Sequence, residues 1–253
     1  MNRIGDAFKG KKPTIVYLMA GDPDLETSAE YILAAQEAGA GVIEIGVPFS
    51  DPVAEGEVIQ AASARALNAG TRLDGVFDMV ASIKERLRVP VLLMTYLNPA
   101  FAYGYGRFFA RCAEAGISGA IIPDLPHCER GEVKEAAAEN GIEVVSFIAP
   151  SSGQRIAEIA KDAEGFIYLV SSAGVTGVRE TAAAGLEPIV AEIKKHTGVP
   201  VAVGFGIAAR EQADYYLSFA DGIIVGSAVV KIVGRYGKDA RAALMKFIRE
   251  LRG

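Results

Sequence analysis

Eight short apolar runs rich in Val and Ile recur along the chain, and each is followed by an amphipathic stretch. The runs are continuous rather than alternating, which is typical of parallel strands covered on both faces. Eight such units in 253 residues, with no break in composition, predict one (β/α)8 TIM barrel over residues 1–253. A doubly wound open sheet is the alternative, and the even spacing favours closure. The runs are TIVYLM (14–19), GVIEIG (41–46), PVLLMT (90–95), GAIIPD (119–124), EVVSFIA (143–149), GFIYLV (165–170), PVAVGFG (200–206) and DGIIVGS (221–227).

Charge and cysteine content exclude several functional classes. The net charge is -5 and charges of both signs are interspersed, so the chain lacks the basic surface of nucleic-acid-binding proteins. No apolar run approaches the roughly 18 residues of a membrane span. Cys112 and Cys128 have no CxxC spacing, and neither His127 nor His196 has ligand spacing to another His or Cys. We therefore expect a cytoplasmic globular protein with free thiols and no metal site.

Glu44 is a carboxylate inside an apolar run, near the carboxyl end of the second predicted strand. One interpretation is a salt bridge that helps to specify the barrel interior. The other is a general acid or base whose pKa is raised by an apolar site. TIM barrels collect their catalytic groups at the carboxyl ends of the strands, and this position favours the second interpretation.

The loop PFSDPVAEGE that follows offers two further carboxylates. Asp51 precedes a proline and could cap backbone amides of a turn, and Glu55 could be a solvated loop residue. Two carboxylates in different surroundings can also divide acid and base work. Spacing alone does not decide which of the two is the partner of Glu44.

Glycine-rich turns follow three late strands: AGVTG (173–177), GFG (204–206) and VGS (225–227). TIM barrels often bind phosphate with the loops after strands 7 and 8, where glycine lets backbone N–H groups approach an anion. These turns predict phosphate contacts at Gly206, Gly226 and Ser227, although tight turns alone would explain each one. Lys231, one turn further on, could be an ordinary surface lysine. Tyr96, Asn98 and Tyr168, at or just beyond strand ends, could line a pocket or pack in the core.

Several of these motifs together resemble one family. The motifs E-I-G-V-P-F-S-D-P-x-A, L-M-T-Y-x-N-P, P-D-L-P, S-x-x-G-V-T-G, G-F-G-I and G-S-A-x-V-K occur in the order found in tryptophan synthase α subunits. The resemblance extends over essentially the whole chain. It implies a TIM barrel that cleaves indole-3-glycerol phosphate to indole and glyceraldehyde 3-phosphate without metal or cofactor. It also implies an α₂β₂ complex in which indole passes to a β subunit.

The resemblance also implies residue roles. Glu44 corresponds to the general acid/base, and Glu55 to the second carboxylate, which stabilises charge at the indole N–H. Asp51 is then assigned to loop ordering and the subunit interface. Thr176 corresponds to a flexible-loop threonine, and Tyr168 to a tyrosine near Glu44. The remaining positions are the active-site rim (Tyr96, Asn98) and the phosphate site (Gly177, Gly206, Gly226, Ser227).

Three positions depart from the family pattern, and so does one segment, PHCERG after P-D-L, where P-L-E-E is more usual. Glu55 stands where the family has aspartate, Glu57 where proline is usual, and Ser172 where arginine is frequent. A carboxylate displaced by about 1 Å can lose on the order of 10²-fold in rate. A second hypothesis is therefore an α-like subunit with weakened catalysis, retained mainly to bind and activate the β subunit. Another phosphate-binding barrel enzyme is a third, but such families lack the EIGVPFSDP run.

Overall fold

Eight parallel strands form a closed barrel in the computed structural model, which describes residues 4–170, 185–204 and 206–252. Each strand pairs with the next along the chain, and the eighth pairs with the first. This closure confirms the predicted (β/α)8 fold over the open-sheet alternative. The strands are β1 (Thr14–Met19), β2 (Val42–Gly46), β3 (Val91–Met94), β4 (Gly119–Ile121), β5 (Glu143–Ile148), β6 (Glu164–Val170), β7 (Val201–Gly204) and β8 (Gly222–Val225).

Helices surround the barrel, and two of them follow each of β2, β3 and β8. Among the helices of the described residues, none has the length and apolarity that a bilayer crossing requires. The helices are α1 (Leu25–Glu37), α2 (Glu57–Asn68), α3 (Leu73–Ile83), α4 (Leu97–Tyr103), α5 (Tyr105–Ala115), α6 (Gly131–Glu139), α7 (Ile156–Lys161), α8 (Glu187–Lys194), α9 (Arg210–Leu217), α10 (Ser227–Tyr236) and α11 (Arg241–Arg252).

Two apolar layers explain why the strand sequences are continuous runs. Side chains alternate between the two faces of a strand, so a barrel strand needs apolar residues for the interior and for the helix layer. The larger core lies between strands and helices and includes Val16, Ile43 and Leu93. The interior is filled by a separate cluster: Ile4, Ile15, Val42, Leu92, Ile121, Val145, Phe166, Tyr168, Ala202 and Ile224.

A short 3-10 helix, Ile4–Phe8, covers the amino-terminal end of the barrel. Ile4 is fully buried and belongs to the interior cluster. A Cβ at Gly119 would lie 2.6 Å from Ile4 Cδ1, and one at Gly165 would lie 3.1 Å from it. These two glycines therefore make room for the side chain that closes this end, and a ligand is to be sought at the opposite, carboxyl end.

Several predicted runs extend past the strands. GAIIPD predicts a strand to Asp124, but β4 ends at Ile121. PVAVGFG predicts a strand to Gly206, but β7 ends at Gly204. Proline cannot donate a ladder hydrogen bond, and Gly206 has a positive φ of 81°. The residues beyond these strand ends belong to the loops at the carboxyl end of the barrel.

The packing around Gly204 yields a test of the interior. A Cβ at this position would lie 2.4 Å from the Tyr168 ring. We expect Gly204→Ala to destabilise the protein by about 1–3 kcal/mol, the usual cost of overpacking a filled core. Urea unfolding monitored by circular dichroism measures this change.

Gly131→Ala is the matched control, because it adds the same methyl group where no atom lies within 4 Å. It should leave stability unchanged or raise it slightly, since alanine restricts the unfolded chain. Equal stability of the two variants would contradict the packing described for Gly204.

Candidate active site

Glu44 lies in the middle of β2, and its side chain belongs to the inward-facing side of the barrel. Its Cα partner on β1 is Tyr17, and its Cα partner on β3 is Leu92. Leu92 belongs to the interior cluster, and so does Val42, two residues before Glu44 on the same face. Tyr17 belongs to another buried cluster, which includes residues of α2. The strand alternation thus places a carboxyl group among apolar and aromatic side chains.

The Glu44 carboxyl is buried, and one of its two oxygens makes no hydrogen bond to the described residues. The residue is 1% exposed, and Oε2 has no hydrogen-bond partner among the described residues. Nor does Glu44 take part in any ion pair found in this part of the chain, so the salt-bridge interpretation has no support there. Burial raises the pKa of Glu44 to about 8. The group is therefore mostly protonated at neutral pH.

Glu55 lies in the segment between β2 and α2, and it is only 5% exposed. Hydrogen bonds hold the backbone on both sides of it. The amide of Ala54 donates to the Tyr96 hydroxyl at 3.1 Å, and Gln60 Nε2 donates to the Glu55 carbonyl at 2.7 Å. Burial raises the pKa of Glu55 to about 7, so this carboxyl is near half-ionised at neutral pH.

Two of the predicted pocket tyrosines lie close to these carboxyls. The ring of Tyr168 stacks on Phe147 with centroids 4.9 Å apart. Burial raises the pKa of Tyr168 well above its usual value, and the negative charge of Glu44 raises it further. The Tyr96 ring lies against Phe49 at 5.4 Å, and mainly burial raises the pKa of Tyr96 to about 12. Both phenols therefore remain protonated across the physiological range.

Asp51 and Asn98 are exposed, in contrast to the two buried carboxyls. The Ser50 hydroxyl donates to Asp51 Oδ2 at 2.5 Å, a contact that is local to the loop. Asn98 is in the first turn of α4. Of the two loop carboxylates, the structure thus buries Glu55 and leaves Asp51 to solvent.

The predicted phosphate turns lie at the carboxyl ends of β7 and β8. Gly206 has a φ of 81°, a conformation that favours glycine. Gly226 is the N-cap of α10, and Ser227 is its first residue, so the free N–H groups of this helix begin directly after β8. Lys231 in α10 is exposed. Thr176 and Gly177 lie outside the described residues.

Other chemistries find little support in the described residues. His, Cys, Asp and Glu side chains there form no group of three or more able to hold a metal ion. Cys112 is buried and Cys128 is exposed, and both are free thiols.

Tyr17 is a further site residue that the sequence patterns did not single out. It is 3% exposed, and the charges of Glu55 and Glu44 add to the effect of burial in raising its pKa. Aromatic residues in apolar strands usually pack in the core, so the sequence pattern did not mark Tyr17 as a site residue. The alternation along TIVYLM, set in register with VIEIG, is the signal that places Tyr17 beside Glu44.

Comparisons with known proteins converge on one family. The family model described as "Tryptophan synthase alpha chain" matches residues 6–252. The tryptophan synthase alpha chain of Lacticaseibacillus casei is 47% identical over 252 residues, covering 100% of this chain and 95% of that one. That of Synechococcus elongatus is 45% identical over 257 residues, covering 99% and 97%. A structure of the tryptophan synthase α₂β₂ complex from Pyrococcus furiosus superimposes with a TM-score of 0.90, 38% identity and 100% coverage of both chains.

The raised pKa values of the two carboxyls predict a pH-dependent stability. A folded-state pKa above the ordinary value near 4.5 means that the folded protein keeps protons that the unfolded chain releases. The contribution of these two carboxyls to the free energy of unfolding is fully present below about pH 4.5. It is lost as the pH rises to about 7 for Glu55 and to about 8 for Glu44. Glu44→Gln removes the larger of these two pH-dependent contributions. Each unit of difference between the folded and unfolded pKa corresponds to about 1.4 kcal/mol in the free energy of unfolding.

We therefore expect Glu44→Gln to unfold at higher urea concentration than the wild type at pH 8.5, and at nearly the same concentration at pH 5. Glu57→Gln is the control, because Glu57 is an exposed carboxylate of the neighbouring helix start. Identical pH dependence of wild type and Glu44→Gln would show that Glu44 is not held neutral by burial.

Proposed function

Because the chain belongs to the tryptophan synthase alpha chain family, and so has a lyase role in tryptophan synthesis, we propose that it cleaves indole-3-glycerol phosphate. The products are indole and glyceraldehyde 3-phosphate, and the indole passes to a tryptophan synthase β subunit. An α₂β₂ assembly, a cytoplasmic location and a single barrel domain over residues 1–253 are parts of the same proposal. The observation that carries it is the pair of buried carboxyls, Glu44 and Glu55, with pKa values near neutrality.

The reaction is a retro-aldol cleavage, and it needs a proton donor, a proton acceptor and stabilisation of charge on the indole ring. Glu44 is protonated at neutral pH, so it can deliver its proton to C3 of indole. The bond between C3 and the glycerol carbon then breaks, and its electron pair returns to the ring. The resulting Glu44 carboxylate takes the proton of the neighbouring glycerol hydroxyl, whose O–H electrons form the aldehyde C=O bond.

Glu55 acts on the ring nitrogen in this mechanism. Protonation at C3 places positive charge on the indole N–H, and a carboxylate stabilises that charge by accepting its hydrogen bond. With a pKa of about 7, Glu55 is ionised in a large fraction of molecules at neutral pH, whereas Glu44 is mainly neutral. Two residues of one type therefore take different roles, because Glu44 transfers the protons and Glu55 stabilises the charge on the ring.

The phosphate of the substrate is assigned to the turns after β7 and β8. Backbone N–H groups at a helix N-terminus bind anions through hydrogen bonds and the helix dipole. Ser227 begins α10 directly after β8, and glycines at 206 and 226 keep the approach free of side chains. Gly177 is assigned to the same phosphate site and Thr176 to the loop that closes over the substrate. Tyr96 and Tyr168 are assigned to the walls of the indole pocket, and Asp51 and Asn98 to the rim that meets the β subunit.

Loss of the Glu44 proton donor should abolish most of the activity. We expect Glu44→Gln to release indole from indole-3-glycerol phosphate about 10²–10⁴-fold more slowly than the wild type, the usual contribution of a general acid/base. Indole is measured with and without a tryptophan synthase β subunit present. Glu135→Gln should retain activity within about twofold, since Glu135 is exposed on α6, outside the segment that carries Glu55.

Two results would contradict this assignment. Full activity of Glu44→Gln would exclude the proposed mechanism, and absence of indole release by the wild type under both conditions would exclude the proposed activity.

A weakened subunit that mainly activates the β subunit is the second candidate function, and Glu55 is the observation that favours it. Its side chain is one methylene longer than that of the aspartate expected from the family resemblance, yet the residue is buried. If the longer side chain displaces the carboxylate, Glu55→Asp should raise the rate of indole release by roughly tenfold or more. An unchanged or lower rate would show that the surrounding residues are adapted to glutamate, and would exclude the weakened subunit.

A further inference from the structure

Tyr17 brings a hydroxyl group to the end of β2, one inward position beyond Glu44. Its ring rises from β1 beside Glu44 and passes the level of that residue, because β2 carries glycine at the next inward position. A Cβ at Gly46 would lie 2.0 Å from Tyr17 Oη. The missing side chain at Gly46 is therefore what lets the hydroxyl reach toward the carboxyl end of the barrel.

The same ring packs against the start of α2. Tyr17 forms one cluster with Ile59 and Ala62, and Val58 packs against this cluster. These residues belong to the first turns of the helix that directly follows Glu55. Tyr17 therefore contacts both elements that carry the carboxyls: β2, which holds Glu44, and the amino end of α2, which adjoins Glu55.

The hydroxyl has a weak acceptor in the structure. Its partner among the described residues is Met19 Sδ at 4.0 Å, and thioether sulfur is a poor hydrogen-bond acceptor. Burial raises the pKa of Tyr17 well above its ordinary value, and the negative charge of Glu55 is the next largest cause. The group is thus a proton donor that an ionised carboxylate nearby would attract away from sulfur.

We propose that Tyr17 is a positioning residue, whose hydroxyl turns from Met19 to donate a hydrogen bond to the carboxylate of Glu55 when that group is ionised. The proton stays on Tyr17 throughout. The hydrogen bond stabilises the charged form of Glu55 and orients the oxygen that, under the proposed function on which this role in turnover rests, accepts the indole N–H.

The first test needs no substrate. The Glu55 carboxyl carbon is titrated by NMR in protein labelled with ¹³C-glutamate, and its signal is assigned by its loss in Glu55→Gln. Tyr17→Phe should raise the pKa of Glu55 by about one unit, the size expected for loss of one hydrogen bond to a charged group. An unchanged pKa would overturn the proposal whether or not the protein cleaves indole-3-glycerol phosphate.

Tyr31→Phe is the matched control. Tyr31 is equally buried, but its hydroxyl donates to the Gly237 carbonyl at 2.5 Å and accepts from the Ala240 amide at 3.1 Å, far along the chain from the carboxyls. It should lose stability and keep the wild-type titration of Glu55. Met19→Leu, which keeps the hydroxyl and removes the sulfur, should also not raise this pKa; a rise as large as that in Tyr17→Phe would assign the effect to packing and overturn the role of the hydroxyl.

The second test is the pH profile of kcat for indole release. Tyr17→Phe should move the acid limb upward by about one pH unit, lower kcat about tenfold at pH 6, and leave KM within about twofold. A parallel loss at every pH would mark a merely structural residue. If the wild type releases indole and Tyr17→Phe has the wild-type profile, this inference fails and the proposed function stands.

Discussion

Closure of the eight-stranded sheet is the constraint on which the rest of the structure depends. A closed barrel has one interior, and each strand must direct alternate residues into it. At the amino-terminal end Ile4 and the inner apolar cluster fill this space. At the level of Glu44 the same alternation places a carboxyl against Tyr17, where water is excluded. Strand geometry alone therefore imposes the burial that raises the pKa of Glu44 to about 8.

The second carboxyl is positioned by a different means. Glu55 is in a loop, and loop carboxylates are ordinarily solvated. Here the loop is tied down at two places. Ser63 exchanges hydrogen bonds with the backbone of Phe49, at 2.8 and 2.9 Å, and the Tyr96 hydroxyl holds the amide of Ala54 at 3.1 Å. These anchors come from α2 and from the end of β3, so the barrel and its helices fix the carboxyl at 55.

This difference explains which features the sequence predicted. Continuous apolar runs and their even spacing predicted the eight strands and the closure, and the place of Glu44 in the second run assigned it to the catalytic end of the barrel. Spacing left Asp51 and Glu55 equivalent, since burial of a loop residue depends on hydrogen bonds that join residues 14 to 42 positions apart. Tyr17 was missed for a related reason. Its hydroxyl extends past Glu44 only because β2 has glycine at 46, and this depends on the register of two strands.

Burial alone is sufficient to separate the roles of the two glutamates. The pKa of each is raised chiefly by desolvation, to about 8 and about 7, and the difference follows the completeness of burial. A cation beside either group would favour its charged form and remove the acid. A neutral hydroxyl such as that of Tyr17 differs from a cation in this respect. It can donate a hydrogen bond that stabilises a carboxylate when one forms, and it adds no charge while the carboxyl is protonated. An aromatic residue with a polar tip thus suits a site that holds one protonated and one ionisable carboxyl.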